Sequence, residues 1–475
     1  MAKGKYILMT AFALFFANRF VAQDLQIWNE RDIDGTARYV GLSGAMTAVG
    51  GDPTAVNDNP AGLGLYRRSE FLCSFLTLNN YDVQKSAKDG EVDVDLSCNQ
   101  VSFIFSFGDD DKTKGLIHNN LMFSYNRVKT FQNTYSGTLL NRPSTLPTLL
   151  ANKTNGLQES SLPIDNNSWE NPNVGWLSIL GYETNLIDPA ENNQWTPTYT
   201  GNSDNTLTIK EKGYVNDCDF DWGMNWNNRL YLGLGLTIRH MVYQKDFSYK
   251  EEASGYNSVS TSFLSVKGLA LNSSLGFIYQ PVRFMRIGMS YQTPSVTELR
   301  LTTYGDMTSS FQTKQVLTPE DGPATYSDLV FPYRLTAGVA FLCGKKGLMS
   351  FEYDYENWKE LSATHSLKVG LEYVAHDYLF FNLGGAYESY FLNHEPTYIF
   401  NETTTRTDPD YRNLKYRYYL SGGVGYRGST FIAQVAYQYM NKETNFYANE
   451  LQVDPFHMCS RAHRVVFTLG WHTNR

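Results

Sequence analysis

The chain has 475 residues, with 33 Tyr and 28 Phe and a formal net charge of -8. An aromatic share of 15% beside a mean hydropathy of -0.38 is foreign to a soluble α/β enzyme and fits a β-rich protein with aromatic girdles. The acidic balance leaves no basic footprint for nucleic acid, and five cysteines without CxxC spacing offer neither a metal site nor a disulfide framework.

The chain starts as an export signal. Lys3 and Lys5 precede the apolar run Ile7 to Phe16, too short to span a bilayer, and cleavage is expected after Ala22. This divides the chain into a signal (1–22), a plug (23–67) and a barrel (68–475). The plug holds the glycine- and alanine-rich stretch Gly35 to Leu65. Within it, Asp52-Pro53 and Asn59-Pro60 each place a capping residue before a proline at the first helical position.

From Arg68 onward the pattern is alternation. Leu230, Leu232, Leu234, Leu236 and Ile238 face one way, with Tyr231, Gly233, Gly235, Thr237 and Arg239 between them. Phe331, Tyr333, Leu335, Ala337, Val339 and Phe341 form another apolar face. Strands are predicted near 68–82, 93–107, 117–132, 212–226, 229–249, 263–280, 284–304, 330–343, 347–357, 365–375, 378–392, 412–427, 429–441 and 461–472. Short turns follow most even-numbered strands and longer polar loops follow the odd ones. The expectation is an all-β fold, a transmembrane antiparallel barrel of about fourteen strands with its long loops outside.

On that reading Arg239, Arg334, Glu352, Asp354, Lys368 and Arg417 face the lumen, as structural pairs or as a selectivity ring. In the long insertion 133–211, Val174, Trp176, Leu177, Ile179, Leu180 and Tyr182 recur at helical spacing after Asn171-Pro172. They form either an exposed capture patch for a hydrophobic ligand or a helix packed down over the barrel mouth. Pro294, inside the seventh strand, marks a bulge. The GxGxxG at 423–428 leads into a strand, so the helix N-terminus needed for phosphate is missing. GxSxG, HExxH and Walker sequences are absent, which predicts no enzyme and no cofactor.

The stretch GTARYVGLSGAMTAVGGDPTAVNDNPAGLGLY resembles the N-terminal hatch of the FadL/TodX outer-membrane transporters of long-chain fatty acids and other hydrophobic compounds. The residues that carry the likeness are Gly41, Gly44, Asp52, Pro53, Asn59, Pro60, Ala61 and Gly62. FPYRLTAGVAF (331–341), MSFEYDYENW (349–358), SLKVGLEYV (366–374) and HRVVFTLGW (463–471) are similar to that family's barrel. The resemblance implies a monomeric outer-membrane barrel with the hatch inside its lumen. It also implies a hydrophobic small-molecule ligand, contact with outer-membrane lipid, and insertion by the barrel-assembly machinery. Ligand would leave sideways through the wall after the hatch shifts, at a kink in the third strand. Here that strand (117–132) holds no proline or glycine. Relatives of the family also include partners that dock or shuttle secreted proteins, and chains described as hemin receptors. Trp471 is followed by four further residues, whereas such barrels commonly end on an aromatic one.

Overall fold

The computed structural model describes residues 27–82, 95–109, 112, 114–143, 145–164, 167–319, 325–357, 362–392 and 405–473; the expected signal segment lies outside them. The wall begins with β1 (Glu70–Asp82), β2 (Asp95–Gly108) and β3 (Leu116–Arg142). A short pair, β4 (Ile187–Pro189) and β5 (Trp195–Pro197), lies apart from it. The wall resumes with β6 (Ser203–Trp226), β7 (Leu230–Ala253) and β8 (Tyr256–Val282). Its seventh strand is made of β9 (Met285–Gln292) and β10 (Ser295–Ser309), topped by β11 (Gln312–Leu317). The eighth is made of β12 (Thr325–Phe331) and β13 (Arg334–Leu342). Six more complete it: β14 (Gly347–Asn357), β15 (Ser362–His376), β16 (Leu379–Leu392), β17 (Tyr411–Arg427), β18 (Phe431–Tyr447) and β19 (Phe456–His472). Pairing of β1 with β19, from Glu70–His472 onward, closes a fourteen-stranded antiparallel barrel without a free edge.

The alternation sets which face is which. In β7, Leu234, Leu236 and Ile238 point outward and stay exposed, while Arg239 is buried in the bore. Trp226, Tyr279, Phe284, Tyr378, Phe431 and Trp471 are exposed beside the short turns, as an interfacial aromatic girdle requires. No described helix is long and apolar enough to cross a membrane.

Higher up, β6 reverses its chemistry while the same parity stays inward. In β6, Asp219 and Asp221 face inward low in the wall. Leu207 and Ile209 do so near the top, with Thr208 and Lys210 outside. Lipid calls for an oily exterior; above it, water calls for an oily interior. This explains one correction. The insertion expected at 133–211 is strand at both ends, so its irregular part spans 143–202. That part folds as a cap built on α3 (Leu146–Thr154) and α4 (Trp176–Glu183), the plug holding two earlier helices, α1 (Ala37–Gly41) and α2 (Pro53–Asp58).

Val174, Trp176, Leu177, Ile179 and Leu180 are buried in the cap's core with Leu149, Leu150 and the inward rings Phe247 and Tyr249 of β7. Only Tyr182 is partly exposed. Of the two arrangements expected for this stretch, the structure has the helix packed down: its apolar side chains meet the extended strand tops rather than water. Trp176→Asp combined with Leu180→Asp buries two carboxylates and is expected to unfold the cap, at a cost of several kcal/mol. Limited proteolysis should then cut within 143–202 while the wall stays protected; an unchanged digest would put these residues outside the core.

The seventh and eighth strands also depart from expectation. Pro294 interrupts one and Pro332 the other. Across each break the inward face changes parity: Ser290 and Gln292, then Ser295 and Thr297, in one strand, and Phe331, then Thr336, in the other. An inserted residue flips every side chain beyond it. So Phe331, read as part of the outward face with Leu335, is instead buried in the lumen.

Candidate functional site: a plugged lumen

Residues 27–66 fill the bore. Asp52 Oδ1 accepts from Thr54 N (3.0 Å) and Ala55 N (3.4 Å), and so caps α2, which Pro53 opens. Asn59 Oδ1 accepts from Ala61 N at 3.1 Å and caps the 3-10 turn Pro60–Leu65. The Asn59 amide also donates to Thr47 O (2.8 Å) and to wall Phe277 O (3.3 Å), tying the turn to both plug and barrel. Gly44 adopts φ +74°, which only glycine takes without strain, against the Tyr39 ring. A Cβ on Gly41 would lie 3.0 Å from Asn382, and one on Gly62 3.1 Å from Gly50.

The wall makes room for this backbone with glycines of its own. Gly223, Gly233 and Gly276 pair side by side on β6, β7 and β8. A Cβ on Gly233 would lie 2.1 Å from Pro60 C, and one on Gly276 2.2 Å from Asn59 Oδ1. Gly288 is likewise filled by Thr47 and Ala48, and Gly384 by Leu42 and Ser43. Sequence reading missed these partners, although a glycine on the inward face of a strand is a known sign of close backbone approach.

Ion pairs supply the second set of fastenings. Asp32 meets Lys129 (2.8 Å), Arg417 (2.9 Å) and Arg464 (2.8 Å), all buried. Glu30 meets Lys129 (2.8 Å) and Lys442 (3.0 Å). Burial alone would raise the Glu30 carboxyl, but Lys129, Lys442 and Arg417 outweigh it and hold it well below the usual range. Asp32 is lowered in the same way against its own burial, chiefly by Arg464. Asp34 goes the other way: burial pushes it up to about 6, against the pull of Arg464 and of its hydrogen bond from Asn99. Arg38 grips Glu372 with two nitrogens, at 2.7 and 3.1 Å.

The six lumen charges read from the sequence all face inward. Arg239 pairs with Asp217 (2.7 Å) and donates to plug Asn29 (2.9 Å). Arg334 pairs with Glu356 (3.0 Å), and Lys368 bridges Glu352 (2.8 Å) and Asp354 (2.7 Å). Glu352 also accepts from Thr47 N at 2.7 Å, and Arg417 reaches Asp32. They bind the plug and one another. Free space among them amounts to a polar cavity of about 70 Å³, room for a few waters and far too small for a lipid.

Above this charged zone lies an apolar one. Phe131, Val215, Met241, Tyr243, Val266 and Phe331 belong to a buried inward patch drawn from six neighbouring strands, and Ile27 and Trp28 of the plug sit in it. Trp28 is 2% exposed, its ring 6.2 Å from Tyr243, and its buried indole N–H has no acceptor among the described residues. From above, residues 405–410 fold inward: Thr407 bonds Ser262 at 2.8 Å, and Asp408 meets Lys245 at 2.5 Å.

The third strand is irregular although no proline or glycine marks it. β3 carries an extra residue at Val128, whose carbonyl accepts from Asp32 N at 2.8 Å. Its ladder to β2 stops at Gln100–Asn126, beside a second bulge at Asn99. Asn99 donates to Asp34 (2.6 Å) and Gly35 O (2.9 Å), so the plug seals this gap from within.

A closed barrel with an oily exterior, a bore filled by the chain's own N-terminal segment and an apolar patch above the ion pairs defines a plugged transmembrane β-barrel. The solved structures similar to this chain agree on the fold. A Pseudomonas aeruginosa FadL homologue matches with a TM-score of 0.53 and 12% identity, over 94% of this chain and all of that one. The CymD monoaromatic hydrocarbon channel matches with a TM-score of 0.50 and 10% identity over the same shares. No protein-family model matches the chain, and no curated protein matches it in sequence.

Proposed function

We propose that this chain takes up hydrophobic small molecules, long-chain fatty acids or hydrocarbons of similar character, across the outer membrane. Ligand displaces Ile27 and Trp28 from the apolar patch, the plug loosens, and the ligand leaves sideways into the bilayer. The observation that carries this reading is the patch itself, a buried oily surface inside a transmembrane barrel, filled by the chain's own N-terminal side chains. Each methylene of a ligand buried there is worth ~0.8 kcal/mol. The indole N–H left without an acceptor makes Trp28 a tenant with a standing penalty. A straight descent would carry an oily chain past Arg239–Asp217 and Lys368–Glu352, where it gains nothing. The similar structures are by name a hydrocarbon channel and a FadL homologue, which supports the ligand class.

The test is uptake of isotope-labelled hexadecanoic acid by proteoliposomes. Val266→Asp, which puts a carboxylate in the patch, is expected to cut uptake at least tenfold while the folded barrel keeps its heat-modifiable gel mobility. Wild-type uptake no better than empty vesicles would sink the proposal. A secreted protein co-purifying with the barrel in that case would favour the docking role instead.

A further inference from the structure

We propose that the sideways exit is the seam between the seventh and eighth wall strands, where Pro294 faces Pro332; this rests on the uptake reading above. The registers Gln292–Arg334 and Ser295–Phe331 put the two prolines on one rung. Leu342 N donates to Phe284 O at 2.7 Å, which marks that rung as one where the strands exchange hydrogen bonds. Such rungs recur every second residue up to Gln292–Arg334. Beyond it residues 293–294 and 332–333 belong to neither ladder, and pairing resumes at Ser295–Phe331. Thr293 N is turned away from the seam, to Ser273 O at 2.9 Å, and neither proline has an N–H to give. The ladder is thus open over two rungs in a wall whose every backbone group should be paired.

The surroundings fit an exit for an oily chain. Phe331, next to Pro332, is a member of the apolar patch, as is Leu299 of β10. On the outside the seam is flanked by Val296, Met289, Leu335 and Leu271, all exposed to lipid. Its floor is the plug: Gln292 Nε2 donates to Asn57 O at 3.0 Å, and Arg334 reaches Asp58 at 3.9 Å. Ten residues above Phe284, at ~3.3 Å each and a tilt near 45°, the seam stands ~23 Å up, near the upper limit of a ~25 Å apolar band. The gap at β3 also borders the patch, through Val128 and Phe131, but it is backed by charge and by the plug. Behind Val128 lie the Lys129–Asp32 ion pair and the plug's own hydrogen bonds.

Tyr291→Cys with Leu335→Cys places a disulfide on the outward pair just below the seam. This staple is expected to lower hexadecanoic acid uptake at least tenfold, reversibly on reduction. Val101→Cys with Tyr125→Cys at the β2–β3 gap, and Phe351→Cys with Val369→Cys on β14–β15, should leave uptake within twofold. Pro294→Ala with Pro332→Ala restores both donors and should slow uptake without any staple. Undiminished uptake through the stapled seam, or its loss on stapling β2–β3 alone, would overturn the proposal. A diazirine-bearing hexadecanoic acid gives a reading that needs no uptake. Photolabel on peptides covering 293–296 and 331–335 supports the seam, and label confined to 99–128 refutes it. Absent uptake together with seam labelling would therefore fault the transport reading and leave the location standing.

Discussion

Gly233→Val is expected to expel the plug and convert a closed barrel into an open pore. The Cβ would lie 2.1 Å from Pro60 C and 2.3 Å from Ala61 N, backbone atoms that cannot swing aside. The Asn59-Pro60-Ala61-Gly62 turn sits against three glycines on adjacent strands, so losing the middle one removes the seat of the whole turn. The wall itself should survive, since valine suits a strand. Planar-bilayer recordings should show conductance rising several-fold over the parent, with Gly385→Ala as the control. There the new methyl meets nothing nearer than 3.8 Å. A variant that stays silent in the bilayer while inserting normally would mean that the turn is not what closes the bore.

Asp32→Ala should loosen the plug from the other end. It leaves Lys129, Arg417 and Arg464 facing one another in a buried site, with Glu30 still on Lys129 and Glu388 still on Arg417. Breaking a buried pair by removing one partner costs ~3–5 kcal/mol, and here one carboxylate serves three cations. Hydrogen exchange across residues 27–41 is expected to speed up at least a hundredfold while the β14–β16 amides keep their protection. Equal exchange in both regions before and after substitution would reduce this clamp to decoration. The two variants act on different fastenings, steric and electrostatic, and their combined effect should exceed either alone.

Much of this was legible in the chain. Period-two alternation showed the wall because the bilayer rewards one oily face per strand, and Leu234, Leu236 and Ile238 obey it. The Asp-Pro and Asn-Pro pairs showed where the plug's turns begin. Three things were hidden, each for a physical reason. Above the membrane the oily residues move to the inner face, so Leu207 and Ile209 looked like loop. The effect of Pro332 is a one-residue slip, which cannot be seen until a partner strand fixes the register. The clamp joins Glu30 and Asp32 to residues up to 432 positions away, a pairing no local pattern carries.

The plug touches both the last strand of the wall and its middle. Ala37 N bonds Thr468 Oγ1 at 2.8 Å on the last strand, and Asn59 reaches Phe277 near the middle of the chain. Its berth therefore does not exist until the cylinder is complete. The segment that leaves the ribosome among the first must wait for the final strand before it can settle. Assembly has to keep it solvated and unattached in the meantime, which its small and polar residues make easy.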